Sequence, residues 1–93
     1  MIKSFACADT ERLFNRERVK AFEAFEQGAR RKLESLNAAK ELHDLSAIPG
    51  NRLEKLGGKR KDEYSIRVNK QWRITFEWQE GDTHNVKIED YHA

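Results

Sequence analysis

The chain has 93 residues, 37% of them charged and 38% hydrophobic, with a formal net charge of +2. That is one domain, residues 1–93, with a single thin core, and its two Trp and five Phe argue against disorder. The lone Cys7 excludes an internal disulfide, no run approaches the ~18 apolar residues of a membrane span, and Met1-Ile2-Lys3-Ser4 does not begin a signal peptide, so a soluble, cytoplasmic protein is expected.

In chain order, Ile2 to Ala6 alternates briefly and predicts a short strand. Asp9 or Thr10 is placed to cap a short helix carrying Leu13 and Phe14. From Glu17 to about Leu36 the apolar spacing becomes helical: Val19, Phe22, Phe25, Ala29, Leu33 and Leu36 fall on one face, with a bend or break possible at Gly28. Asn37 reads as the cap of a further short helix over residues 38–42, and Pro49-Gly50 ends everything helical. Arg52 to Leu56 alternates and predicts a strand ended by Gly57-Gly58; a charged loop, Lys59-Arg60-Lys61-Asp62, follows.

The last third is all alternation: residues 64–68, 72–78 and 86–92. Tyr64, Ile66, Val68, Trp72, Ile74, Phe76 and Trp78 form an apolar face that the helices must cover. The expected architecture is therefore α+β, in the order β-α-α-β-β-β-β, with N-terminal helices on one face of a mainly antiparallel four- or five-stranded sheet.

Charge is segregated along this third. Residues 52–73 carry eight basic against three acidic side chains, and residues 74–93 carry one against five. Such a local field can attract phosphate in a nearly neutral protein; two solvated faces that neutralise each other are the plainer reading. Register sharpens the point. Matching apolar to apolar sets Val68 opposite Trp72, Ile66 opposite Ile74 and Tyr64 opposite Phe76, around a three-residue loop of Asn69 to Gln71. That register puts Arg67 opposite Arg73 and Ser65 opposite Thr75 on the other face. Paired arginines repel unless an anion lies between them, and their planar forks suit phosphate oxygens. The next hairpin turns near Gly81 and admits two registers, Arg73 beside Tyr91 with Glu77 beside Lys87, or Arg73 beside Glu89.

The segments Met1-Ile2-Lys3-Ser4-Phe5, Ala38-Ala39-Lys40-Glu41-Leu42, Arg52-Leu53-Glu54-Lys55-Leu56, Ser65-Ile66-Arg67-Val68-Asn69, Gln71-Trp72-Arg73-Ile74-Thr75-Phe76 and Glu89-Asp90-Tyr91-His92 occur in this order across nearly the whole chain. In them the chain resembles the RelE/HigB superfamily of bacterial toxins, most closely the HigB-type killer proteins of type II toxin–antitoxin modules. The resemblance implies a RelE-like fold and a ribosome-dependent endoribonuclease that cuts translated messenger RNA without metal or other cofactor, by attack of the ribose 2′-OH on the adjacent phosphate. It implies as partners the ribosome, messenger RNA and a cognate helix-turn-helix antitoxin (HigA-like), with operator DNA reached only through that antitoxin and no membrane.

On this resemblance Arg73 and Arg67 stabilise charge on the phosphorane, while Asp90, Tyr91 and His92 match the motif that moves protons. His92 is the choice for general acid or phosphate contact, and Tyr91 for base stacking or hydroxyl alignment. Some HigB proteins carry a histidine where this chain has Glu54. Glu54 is thus a candidate base, and a salt bridge to Lys55, Arg52 or another basic side chain is its alternative. Arg52, Lys55, Lys59, Arg60 and Lys61 are candidates for gripping RNA backbone. A catalytically silent RNA- or ribosome-binding module, or a partner that only binds the antitoxin, are the competing functions on the same fold.

Overall fold

A computed structural model describes residues 1–60 and 62–90. Three helices, α1 (Ala8–Phe14), α2 (Glu26–Ala38) and α3 (Leu42–Ser46), lead into four strands, β1 (Glu54–Lys55), β2 (Glu63–Arg67), β3 (Trp72–Gln79) and β4 (Asp82–Asp90). The strands form one antiparallel sheet in the order β1-β2-β3-β4. The N-terminal segment adds two parallel bridges along the outer edge of β4, Ile2 to Thr83 and Phe5 to Val86, in place of a full strand. The α+β architecture is the expected one.

Helix and sheet meet through the predicted faces. Leu13, Val19, Phe22, Ala29, Leu33, Leu36 and Leu45 from the helical half close on Ile66, Ile74, Phe76, Val86 and Ile88, all nearly or fully buried in one core. Removing apolar surface from water, which stabilises by about 25 cal/mol per Å², drives this layer onto the sheet.

The β2–β3 register is the one the apolar match requires. Tyr64 faces Phe76, Ser65 faces Thr75, Ile66 faces Ile74 and Arg67 faces Arg73. Asn69 closes the loop: its Oδ1 accepts the backbone N–H of Gln71 at 2.8 Å and of Trp72 at 2.9 Å. Between β3 and β4 the observed alternative is Arg73 beside Glu89; Thr75 then faces Lys87, and Glu77 faces His84. The register shifts between Thr75 and Glu77, where Asn85 and Val86 together oppose Phe76. Asn85 sits at φ 54°, a conformation Asn tolerates better than most residues. The β3–β4 turn uses Glu80 and Gly81, both at positive φ, as a tight two-residue hairpin requires.

Four local expectations are corrected. Neither Asp9 nor Thr10 caps α1, which begins at Ala8 without a side-chain cap. The fully buried Thr10 instead accepts the N–H of Ile88 at 2.9 Å, serving the edge of β4 just beyond the last bridge to the N-terminal segment. The helical stripe divides at Phe25, not Gly28: Lys20–Phe25 is a 3₁₀ helix. The threefold repeat of that helix eclipses Phe22 and Phe25, and both rings reach Trp72, at centroid distances of 5.8 and 5.3 Å.

Asn37 caps no helix, because α2 runs through it and its Oδ1 accepts the N–H of Ile2 at 2.9 Å. The next helix starts at Leu42 behind a Glu41–Asp44 capping box. The strand expected over residues 52–56 shrinks to Glu54–Lys55, since Arg52 at φ 45° cannot extend.

Candidate functional site

The polar face of the sheet is assembled by strand alternation. Side chains of Ser65 and Arg67 on β2, Arg73 and Thr75 on β3, and Glu89 on β4 project opposite to the core residues between them. Glu54 joins them because β1 pairs it with Ser65. The face is less open than alternation suggests: Ser65 and Thr75 are buried, and Arg73 is 9% exposed.

Arg73 is fixed by its fork. Nε donates to Ser65 Oγ at 2.8 Å, and Nη2 donates to the carbonyls of Arg52 at 2.6 Å and Ser65 at 3.3 Å. Arg67 takes a separate acceptor, its Nε donating to the carbonyl of Asn69 at 3.1 Å. Backbone carbonyls thus hold each guanidinium in its own direction.

The loop after α3 supplies the rest. Asn51 is fully buried; its Nδ2 donates to the Leu45 carbonyl at 3.0 Å and its Oδ1 accepts from Lys32 Nζ. Its carbonyl accepts the N–H of Arg67 at 2.6 Å. This pins the chain so that Arg52, in a left-handed turn, aims its carbonyl at Arg73.

Arg52, Glu54, Arg67, Asn69, Lys70 and Arg73 line one hollow of about 300 Å³. Among the described residues, four cations against one carboxylate give it a nominal +3. Arginine forks of this kind suit the oxygen geometry of phosphate. Glu54, expected either as a base or in a salt bridge, makes no ion pair with a described residue.

The other candidates divide. Asp90 stands opposite Trp72, and its Oδ2 accepts from Gln71 Nε2 at 2.8 Å, beside the loop that carries Lys70. Lys55 faces away from Glu54 by strand alternation, and its Nζ lies 6.0 Å from the centroid of the Tyr64 ring. It lines a different hollow with Asp62, Tyr64, Glu77, Trp78 and Gln79. Lys59 is exposed on the 3₁₀ turn Gly58–Arg60.

Arg60 is engaged within the protein. Its guanidinium binds Glu63 at 2.9 and 3.1 Å and Glu89 at 2.7 and 3.1 Å. The hydrogen bonds it donates to Glu63 and then Glu89 raise its pKa further, and the same contact holds the Glu89 carboxyl below the usual carboxylate range. Lys61, Tyr91 and His92 lie outside the described residues. Among the described residues, no three His, Cys, Asp or Glu side chains gather as a metal would need, and no helix is long and apolar enough to cross a membrane.

Sequence reasoning missed Lys70 as a wall of the hollow, and Asn51 and Asn69 as its supports. Lys70 was countable as a charge, and Asn69 had turn chemistry. Asn51, one residue after Pro49-Gly50, gave no signal beyond loop composition.

A helical layer covers one face of an antiparallel sheet, and arginines from two strands line a basic hollow on the other, which defines a small α+β protein of RelE-like architecture. A family model described as the RelE-like toxin of type II toxin–antitoxin system HigB matches residues 3–92. The chain belongs to that family. Over 61 residues it is 48% identical to Toxin HigB-1 of Vibrio cholerae, covering 66% of this chain and 64% of that protein. It is 36% identical over 61 residues to the Endoribonuclease HigB of Proteus vulgaris, covering 66% and 65%. The matched stretch thus spans just under two thirds of these curated relatives. Among solved structures, the YoeB dimer from Staphylococcus aureus shares the fold, with a TM-score of 0.56 at 17% identity over 99% of this chain and 95% of that one.

Proposed function

We propose that the chain is an endoribonuclease toxin that cuts translated messenger RNA in the cytoplasm. The observation that carries this reading is the cross-strand pair Arg67 and Arg73, placed with Arg52 and Lys70 around one hollow. The relative named Endoribonuclease HigB supports the reaction class. Attack of a 2′-OH on the neighbouring phosphate builds negative charge on the equatorial oxygens, and fixed arginine donors stabilise that charge without reorganising. RNA is selected because DNA lacks the attacking hydroxyl. The step is a transesterification, with no metal or cofactor given a role.

Glu54, in the same hollow, is the candidate to accept the 2′-OH proton, and Asp90, Tyr91 and His92 are candidates for aligning the hydroxyl and protonating the leaving 5′ oxygen. Arg52, Lys59 and Lys61 are candidates for attracting the RNA backbone. The ribosome presents the message, and a helix-turn-helix antitoxin neutralises the toxin and alone contacts operator DNA.

The test is expression in bacteria and in a purified translation reaction, with primer extension mapping new 5′ ends on a translated message. Wild type arrests growth and produces ends; Arg73→Ala and His92→Ala abolish both. Ribosome binding without new ends identifies a silent binding module, and no effect on translation identifies a protein that only binds its antitoxin. Either result refutes the nuclease reading.

A further inference from the structure

The cross-strand partner of Arg73 on β4 is an acid, Glu89. Opposite charges directly across an antiparallel pair ordinarily attract one another, and a carboxylate folded onto Arg73 would offset part of the charge that the hollow offers an anion. The Glu89 side chain, 17% exposed, is turned elsewhere. Its Oε2 accepts from Arg60 Nη2 at 2.7 Å and from Thr75 Oγ1 at 2.7 Å, and its Oε1 accepts from Arg60 Nη1 at 3.1 Å. Arg60 is itself oriented by Glu63 through Nε and Nη2, and its backbone N–H is tied to the Gly57 carbonyl at 3.1 Å. Three elements thus converge to hold one carboxylate: the 3₁₀ turn that carries Arg60, β2 through Glu63, and β3 through Thr75.

We propose that Arg60 is a positioning residue that holds the Glu89 carboxylate away from Arg73, so that the hollow keeps its positive potential for an RNA phosphate. The proposal rests on the anion-site reading above. It gives Arg60 an indirect role in place of the RNA contact expected from its charge: a guanidinium forked onto two carboxylates presents little net charge to a ligand. Its consequence is specific. Removing Arg60 is harmful because Glu89 remains, so removing both is less harmful than removing Arg60 alone.

The experiment measures binding of the full-length chain to a short, fluorescein-labelled, fully 2′-O-methylated RNA by fluorescence anisotropy at low salt, with thermal unfolding of every variant alongside. Arg60→Gln is expected to weaken binding about tenfold, equivalent to ~1.4 kcal/mol, and Arg60→Gln/Glu89→Gln to return it to within about twofold of wild type, as expected for coupled neighbours. Arg60→Lys keeps the charge but cannot fork two carboxylates. It is expected to weaken binding about threefold and to regain it with Glu89→Gln, which preserves the test if Arg60→Gln does not fold.

A double variant as weak as its Arg60 single variant overturns the proposal and makes Arg60 a direct phosphate contact. Unchanged binding in the single variants overturns it equally. Arg67→Ala separates the two readings: if it leaves RNA binding unchanged, the anion site itself is misplaced and the Arg60 proposal falls with it. A loss in Arg67→Ala without rescue in the double variant sinks the Arg60 proposal alone.

Discussion

Arg73→Lys separates the charge of this residue from its geometry. The guanidinium serves Ser65 Oγ at 2.8 Å, the Arg52 carbonyl at 2.6 Å and the Ser65 carbonyl at 3.3 Å, in a position 9% exposed. A lysine keeps the charge but has no planar fork, so one of these acceptors is the most it can serve well. Hydrogen bonds to charged donors contribute about 1.5–3 kcal/mol each, and water partly compensates the carbonyls, so a loss of about 2–4 kcal/mol of stability is expected. A domain this small loses roughly 4–8 °C of Tm per kcal/mol, which places the fall at about 8–32 °C. On the proposed reading catalysis falls as well, by about 10²–10³, the contribution of a fixed donor aimed at developing charge. Calorimetry gives the Tm. Cleavage of a translated message, measured well below the Tm of the variant, gives the rate without an unfolded fraction. Cleavage within about threefold of wild type alongside a lowered Tm would make Arg73 scaffold and nothing else; an unchanged Tm would refute the hydrogen-bond account.

Asn51→Leu strands the Leu45 carbonyl and the ammonium of Lys32, whose pKa burial already pulls down, so urea unfolding should show a loss of about 2–4 kcal/mol. Glu89 sets part of the acid limit. With its folded pKa held below the ordinary 4.5 by Arg60, its stabilisation is complete above that value and disappears as pH falls through the folded one. Glu89→Gln should therefore flatten the loss of stability from about pH 5 downward, followed by circular dichroism, and an unchanged acid slope counts against the contact. Lys70→Ala should weaken RNA binding and reduce the magnitude of its log–log salt slope by about 0.7, the value for one single-strand phosphate contact. An unchanged slope would place Lys70 outside the contact.

Much of this was legible because β-sheet registers are nearly binary. A slip of one residue would have buried Arg67 and Arg73 among the core side chains, so the apolar match alone was enough to set them opposite one another. The helical half was legible as a stripe but not in its joints. Asn37 and Thr10 have side chains that cap helices well, yet each serves a distant strand or segment, Ile2 and Ile88, and those partners lie 35 and 78 residues away. Local propensity cannot see such competition. Nor could it see that Arg52, inside an alternating run, takes a left-handed turn, because the reason is the fully buried Asn51 before it.

The same distinction governs the charge. Counting along the chain gave a basic block over residues 52–73 and an acidic one over residues 74–93, as though the field could be read from the count. In the fold β4 lies directly against β3, so an acid stands one strand from the central arginine. What sets the potential of the hollow is therefore the direction in which each carboxylate is held. Arg60, the middle of the basic tripeptide Lys59-Arg60-Lys61, is paired with Glu63 and Glu89, while Arg52, Arg67, Lys70 and Arg73, scattered over 22 positions, converge with a single acid among the described residues. On the proposed reading, a phosphate site on a nearly neutral protein is built by turning acids onto a sacrificed cation, and the densest run of charge in the sequence marks that cation better than it marks the site.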